Sequence, residues 1–130
     1  MVFNDNIINN SVPPKTVVLN GCFDGLHAGH IYLLKAALGY GQVIVGLNTD
    51  ASVKKLKGAD RPRHTWEERA FAIQEAVPGC LIEEFDGDAV RFARSHNADL
   101  VIRGWDQVSE RGLPCGVVRL GKWDLPEEKK

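Results

Sequence analysis

Two histidines, His27 and His30, are three residues apart in the stretch NGCFDGLHAGH at positions 20–30. A β-branched run precedes this stretch and predicts a strand, whereas the apolar spacing that follows it predicts a helix. Both imidazoles therefore fall in or beside the first turn of that helix, on one face. Unpaired backbone N–H groups and the positive end of the helix dipole converge at such a turn, so the pair predicts a phosphate site.

Gly29, between the two histidines, has no Cβ that would keep a bulky polyphosphate away from the backbone. The HxGH pattern thus suits a nucleotide's phosphates and the charge that develops when one phosphorus is attacked in line. Two other interpretations are open: ordinary helix-start residues, the commoner fate of an isolated HxxH pair, and metal ligands, for which no third ligand is evident. The position between a strand and a helix, with Asp24 just upstream, favours the phosphate site.

The elements that must position this pair alternate along the chain. Strands are predicted at 16–21, 42–48, 81–85, 99–104 and 116–120, and helices at 27–41, 51–57, 65–76 and 88–96. Such alternation predicts an α/β fold, a single Rossmann-like, doubly wound sheet of about five parallel strands with helices on both faces. In such a sheet, ligands bind at the carboxyl ends of the strands.

Local signals mark several helix ends. Gly39 or Gly41 is expected to end the first helix, and Asp50 to cap the second. Thr65 and Glu68 have the spacing of a capping box and predict the start of the third helix.

Length and composition limit the function classes. The chain has 130 residues, which suits one domain, and its 16 Lys and Arg against 17 Asp and Glu give a net charge of −1. We therefore expect no nucleic-acid or membrane partner, and any anion site must be local. The three cysteines form no CxxC pair, and no apolar run approaches the roughly 20 residues of a membrane span, so we expect a cytoplasmic protein with reduced thiols.

The organisation of the chain is simple. Residues 1–15 are Asn-rich and contain a Pro-Pro pair, which predicts a flexible N-terminal arm. One domain is predicted over residues 16–121, without an internal repeat or a linker. Residues 122–130 are expected to form a charged C-terminal tail.

Two segments carry a resemblance to a known family. GCFDGLHAGHIYLLKAA and VGLNTDASVKKLKGADRPRHTWEERA resemble motifs of the cytidylyltransferase-like nucleotidyltransferases, within roughly residues 17–120. The nearest likeness is to the glycerol-3-phosphate cytidylyltransferases and to the adenylyltransferase domain of the ADP-heptose synthases. The resemblance implies transfer of CMP or AMP from CTP or ATP to a phosphorylated sugar or polyol, with release of pyrophosphate. It also implies Mg²⁺ carried by the nucleotide rather than by protein ligands, and a possible homodimer.

The resemblance assigns roles within the first motif. His27 and His30 are implied to bind the triphosphate and to stabilise the transition state. Asp24 matches the aspartate of the family's FD pair, although a turn or capping role is an equal alternative. Phe23 is expected to pack into the core or to shape the pocket floor. The nucleotide-binding candidates of this segment are Gly21, Cys22, Phe23, Asp24 and Gly29.

The lysines of KKLKG resemble a family lysine that reaches the phosphates from across the cleft. Lys54 and Lys57 share a face at helical spacing, so Lys55 is expected to point elsewhere. Lys57, which precedes Gly58 and a polar loop, could be brought down over bound substrate and is the catalytic candidate. A solvated face is the alternative for such a charged run.

Two arginine segments complete the candidate site. Arg69 matches a family arginine directed at a phosphate, and its alternative is an exposed helix pair with a neighbouring glutamate. Arg103, Gly104 and Asp106 resemble the segment that passes beside the nucleotide base, and their alternative is a strand-end turn with a solvated arginine.

The sequence departs from the family pattern after the fifth strand. Family members carry a Ser/Thr-rich motif there, whereas this chain reads GVVRLGKWDLPEEKK. Either the chain is short there, or another element supplies those donors, for example from a partner subunit. A second hypothesis is therefore a nucleotide-binding or regulatory module without turnover. A dinucleotide-binding domain is a weaker third one, because the first turn lacks GxGxxG.

The choice between CTP and ATP is left open by these motifs. The segment NTDASVKKLKG favours the heptose-type relatives slightly.

Overall fold

Strands and helices alternate through the computed structural model, which describes residues 15–104, 113 and 115–119. The strands are β1 (Thr16–Gly21), β2 (Gln42–Asn48), β3 (Leu81–Phe85), β4 (Leu100–Arg103) and β5 (Gly116–Arg119). The helices are α1 (Ala28–Leu38), α2 (Asp50–Lys57), α3 (Trp66–Ala76) and α4 (Ala89–Ser95). The predicted elements are confirmed, with small shifts at their ends.

The strands form one sheet in the order β3–β2–β1–β4–β5, and every pairing is parallel. This confirms the predicted doubly wound, Rossmann-like α/β fold. The chain runs outward from β1 to β3 and then returns to the other side of β1 with β4. Because the direction of winding reverses there, the carboxyl ends of β1 and β4 are where such folds bind ligands.

Alternating side chains give the sheet two buried faces. In β1, Val17 and Leu19 belong to one core cluster and Val18 to the other. The first cluster includes Leu34 of α1 and residues of α3, and the second includes Phe92 of α4. Because both faces of these strands are apolar, helices cover both sides of the sheet.

The helix ends follow local hydrogen bonds. The predicted capping box of α3 is present, since Thr65 Oγ1 accepts from the amide of Glu68 at 3.1 Å and the Glu68 carboxylate accepts from the amide of Thr65 at 2.9 Å. The expectation that Asp50 caps α2 is wrong. Thr49 is the cap, accepting from the amide of Ser52 at 3.1 Å, because the Asp50 carboxylate binds an arginine of α3 instead.

The ends of the chain are outside the description. Of the predicted arm over 1–15, only Lys15 is described, and the predicted tail over 122–130 lies wholly outside. Among the described helices, none combines the length and the apolar character needed to cross a membrane.

Candidate active site

A cavity of about 1090 Å³ lies at the carboxyl edge of the sheet. The ends of four strands reach it, through Gly21 of β1, Asn48 of β2, Phe85 of β3 and Arg103 of β4. The turn after β1 and the last turn of α2 supply other parts of its wall. The predicted location of the ligand site therefore coincides with the large cavity of the structure.

The two histidines form the N-terminal cap of α1. His27 is the N-cap, and its Nδ1 accepts from the amides of Gly29 at 3.1 Å and His30 at 3.4 Å. His30 Nδ1 accepts in return from the amide of His27 at 3.4 Å. The rings stack with centroids 3.7 Å apart and an interplanar angle of 19°. The pair is thus a capping box built from two imidazoles.

This arrangement corrects one detail of the expected anion site. Two amides of the first turn, those of Gly29 and His30, donate to the His27 ring rather than remaining available to a ligand. A nitrogen that accepts from a backbone N–H carries no proton, so each neutral ring carries its proton on Nε2. The helix start therefore sets the tautomer of both imidazoles, and the donor of each ring is the nitrogen remote from the cap.

The two histidines differ in their position relative to the cavity. His30 is half-buried and lines the cavity. His27 is exposed and does not line the cavity, but its ring stacks on that of His30. Gly29 is buried beneath the pair and is not among the cavity-lining residues. The structure thus keeps the rings together at the cavity without enclosing them in apolar packing.

Phe23 forms the floor under His30. It is buried in the core cluster of α1 and lines the cavity, and its ring meets the His30 ring edge-on at 5.0 Å. Its backbone is left-handed, with φ 47°. A Cβ at Gly21 would lie 2.9 Å from the Phe23 ring, so this glycine leaves the space that the ring occupies. The sequence offered the core and the pocket floor as alternatives for Phe23, and in the structure its ring belongs to the core cluster and also lines the cavity.

Asp24 joins the turn after β1 to the loop between α2 and α3. Its carboxylate is 1% exposed and accepts from Arg61 Nε at 2.8 Å, from the amide of Arg63 at 2.8 Å and from the amide of His64 at 3.0 Å. The residue also lines the cavity. The structure thus gives Asp24 an anchoring role that neither sequence interpretation named, across about 40 residues of sequence.

Hydrogen bonding keeps this carboxylate ionised. Burial opposes ionisation of Asp24, but the amide of Arg63, the Arg61 guanidinium and the amide of His64 outweigh it and lower the pKa below its ordinary value. The negative charge that pairs with Arg61 is therefore retained further into the acid range than that of an ordinary aspartate.

Arg69 is buried, and not exposed as a helix pair with a glutamate. Its guanidinium is 1% exposed and makes four hydrogen bonds. They run from Nε to His64 O, from Nη1 to Cys22 O and Asn48 O, and from Nη2 to Asp50 Oδ1, at 2.6–3.0 Å. Arg69 is not among the cavity-lining residues. It ties together the ends of β1 and β2 and the loop before α3.

The lysines of α2 divide between two cavities. Lys55 and Lys57 line the large cavity, whereas Lys54 lines a smaller one of about 490 Å³ beside the loop 58–65. The expectation that Lys55 points away is therefore wrong. The reason is that Ser52, Lys55 and Leu56, at i, i+3 and i+4, form the face of α2 that borders the large cavity.

Of the remaining candidates, three line the cavity and one is not described. Cys22 lines the cavity, and burial raises the pKa of its thiol although Lys57, Arg69 and Arg61 act to lower it. Arg103 is buried and lines the cavity with Gly104. Asp106 lies outside the described residues.

Several lining residues were not found from the sequence. They are Arg61, Asn48, Ser52, Asp86, Asp88 and Arg91. Asn48, Asp86 and Asp88 come at or just after the carboxyl ends of β2 and β3, and a systematic search of strand ends would have selected them. Arg61 carries no such signal, because it comes from a loop that follows a helix.

The described residues offer no protein-built metal site. Within 15–104, 113 and 115–119, no group of three His, Cys, Asp or Glu side chains is placed to hold a metal ion. Among these described residues, therefore, the donor set does not fit a resident metal ion.

Comparison with known proteins identifies the family. Residues 18–115 match the model of the cytidylyltransferase-like family. The chain belongs to the cytidylyltransferase-like family. This cytidylyltransferase-like domain is similar to the bifunctional protein HldE of Wolinella succinogenes, with 43% identity over 109 residues, 81% of this chain and 23% of that protein. It is 40% identical to the bifunctional protein HldE of Aliarcobacter butzleri over 97 residues, 71% of this chain and 20% of that protein.

A solved structure shares the fold of this cytidylyltransferase-like chain. The lipopolysaccharide core biosynthesis protein from Thermoplasma volcanium GSS1 superposes with a TM-score of 0.68 and 23% identity, over 83% of this chain and 97% of that one. At that identity the likeness supports the fold alone. The chain spans about a fifth of the length of the two HldE relatives. The prediction of the family is confirmed by these matches.

Proposed function

We propose that this chain transfers a nucleoside monophosphate from CTP or ATP to a phosphorylated sugar or polyol and releases pyrophosphate. A heptose phosphate is the favoured acceptor type. This choice is supported by the HldE relatives and by the likeness of the chain to the adenylyltransferase domain of the ADP-heptose synthases. The family supports a nucleoside triphosphate as the donor.

The observation that carries the proposal is the stacked His27 and His30 pair beside the large cavity. Their Nδ1 atoms are engaged at the start of α1, so their Nε2–H groups are the donors for phosphate oxygens. Donors fixed in place before the reaction stabilise the charge that builds on the phosphoryl oxygens without reorganising. The turn after β1 therefore suits the triphosphate.

Two lysines of the same cavity supply positive charge for the phosphates. Lys55 and Lys57 of α2 line the cavity and attract the phosphates that the histidines bind. Arg69 acts through position, because its hydrogen bonds hold the strand ends and the loop before α3. The acceptor phosphate is already an anion at neutral pH, so its attack on the α-phosphorus needs no general base. Any Mg²⁺ would enter with the nucleotide, held by its phosphate oxygens.

Pyrophosphate release tests this function. The chain is incubated with Mg²⁺, with CTP or ATP, and with glycerol 3-phosphate or a heptose phosphate, alongside His30→Ala and the surface control Lys35→Ala. Transfer by the wild type and by the control, with a loss of at least a hundredfold in His30→Ala, supports the proposal. Near-normal transfer by a folded His30→Ala variant would contradict it.

The same experiment separates the alternative function. Calorimetric binding of CTP or ATP without pyrophosphate for any acceptor favours a nucleotide-binding module. The sequence feature behind this alternative is the lack of a Ser/Thr-rich motif after β5.

A further inference from the structure

Arg61 has a position that no sequence motif indicated. It lies in the loop between α2 and α3 and lines the large cavity together with His30 and Lys57. Its side chain is 23% exposed, and its Nε donates to Asp24 Oδ2 at 2.8 Å. The guanidinium thus stands at the cavity wall, attached at one side.

The hydrogen bonds of Arg61 leave its forked end available. A guanidinium has five N–H donors, and the side-chain hydrogen bonds of Arg61 within the described part of the chain use the single donor on Nε. Arg69 differs, since it uses Nε and both Nη atoms on protein oxygens and is 1% exposed. Of these two arginines, only Arg61 can offer a fork to a ligand.

Asp24 fixes the base of this side chain. The same carboxylate that binds Arg61 Nε also accepts from the amides of Arg63 and His64, so the loop and the guanidinium share one buried anchor. Arg69 Nε donates to the carbonyl of His64 and holds the loop from its other end. A cation anchored in this way loses little conformational entropy when it binds a ligand.

The surroundings favour an anion as that ligand. Lys55 and Lys57 line the same cavity, and the charges of Lys57 and Arg61 both act on the Cys22 thiol at its wall. A planar fork beside ammonium groups matches the geometry and charge of a phosphate, which it binds through two parallel hydrogen bonds.

We propose that Arg61 is a phosphate-binding residue of this site, with Nε on Asp24 and its forked end on a phosphate of the nucleotide or of the acceptor. The inference rests on the proposed function for its substrates. It assigns to Arg61 the direct phosphate contact that the sequence had suggested for Arg69. Asp24 is then a positioning residue for this guanidinium.

Matched loop variants test the inference. Arg61→Gln is compared with Arg63→Gln. The Arg63 side chain is exposed, and it lines the smaller cavity but not the large one. We expect Arg61→Gln to raise the KM of one substrate by about ten- to a hundredfold, the loss expected for charge-assisted bonds, and Arg63→Gln to leave both KM values unchanged. A rise in the KM of the triphosphate places the fork on the nucleotide, and a rise in that of the acceptor places it on the acceptor. Arg61→Lys, which keeps the charge without the fork, should recover part of the loss.

Other results overturn the inference. Unchanged kinetic constants in a folded Arg61→Gln variant would contradict direct binding. A lower kcat with both KM values unchanged would also contradict it, because that result indicates that Arg61 only holds the loop in position. Should the wild type release no pyrophosphate, the proposed function fails, and calorimetry with the nucleoside triphosphate and with the acceptor phosphate decides the role of Arg61 separately. Equal affinities of wild type and Arg61→Gln for both ligands, or no binding of either ligand, then overturn the inference.

Discussion

His27 and His30 cap the same helix reciprocally: each ring nitrogen Nδ1 accepts from the backbone amide of the other residue, and the rings stack at 3.7 Å. One pair of side chains therefore starts α1 and presents two Nε2 donors at its N-terminus. Because structure and chemistry are combined in the same atoms, variants must separate the two.

Asparagine at position 27 performs that separation. Because Asn is a preferred N-cap, the free energy of unfolding of His27→Asn should lie within about 0.5 kcal/mol of the wild-type value. That of His27→Ala should be lower by about 1 kcal/mol. Both variants should lose transfer activity, since neither offers an imidazole donor. Urea unfolding and pyrophosphate release measure the two effects. Normal transfer by His27→Asn would show that this ring serves the helix alone.

Replacing Asp24 by asparagine should remove one contribution to the pH dependence of the free energy of unfolding. The folded-state pKa of Asp24 lies below its unfolded value, so the ionised carboxylate stabilises the fold above pH about 4, and this is lost as pH falls through the lower folded value. At pH 7 we expect Asp24→Asn to lose about 2 kcal/mol, since three donors face the new amide.

Urea unfolding between about pH 2 and 7, a range that brackets the ordinary carboxyl pKa, measures this pH dependence. The stability gap, which is the difference in the free energy of unfolding between wild type and Asp24→Asn, should become smaller as the pH falls into the acid range. Asp60→Asn, an exposed aspartate of the same loop, is the control and should show no such gap. A gap that stays constant with pH would mean that the charge of Asp24 does not stabilise the fold.

Replacement of Arg69 should affect stability strongly. Lysine cannot reproduce the fork that reaches the carbonyls of Cys22, Asn48 and His64, so Arg69→Lys should lose about 3 kcal/mol. Its partner Asp50 is half exposed, and Asp50→Asn should cost less than about 1 kcal/mol. Chemical denaturation measures both. An Arg69→Lys variant as stable as the wild type would contradict the buried cross-link.

A methyl group added at Gly21 should displace the Phe23 ring and thereby the His30 ring that it contacts. The added Cβ would lie 2.9 Å from the Phe23 ring, which contacts the His30 ring edge-on, so Gly21→Ala should cost about 1–3 kcal/mol and lower transfer. Gly79→Ala is the control, because its Cβ would meet Leu38 at an ordinary 3.5 Å.

A second substitution tests the cause. Phe23→Leu in the Gly21→Ala background should recover part of the lost stability, since the smaller side chain relieves the close contact. Thermal unfolding of the single and double variants measures the recovery. Strict additivity of the two substitutions would argue against contact between these positions.

The sequence by itself determined the elements and their assembly into a sheet. The alternation of Val17, Val18 and Leu19 decides which side chain enters which face, and Thr65 with Glu68 starts α3 through contacts within one turn. The HxGH pair could be placed at a helix start for the same reason. Such features depend on neighbours a few residues away, which the sequence displays directly.

Only the tertiary structure decided how the charged side chains are used. Asp24 and Arg61 are 37 residues apart, and Arg69 reaches back 47 residues to the carbonyl of Cys22. Arg69 is therefore buried, Arg61 lines the cavity, and Lys55 rather than Lys54 joins Lys57 there. The physical reason is that parallel strands bring loops from distant parts of the chain to one edge. Which donors meet which acceptors at that edge depends on the packed geometry and leaves no local pattern in the sequence.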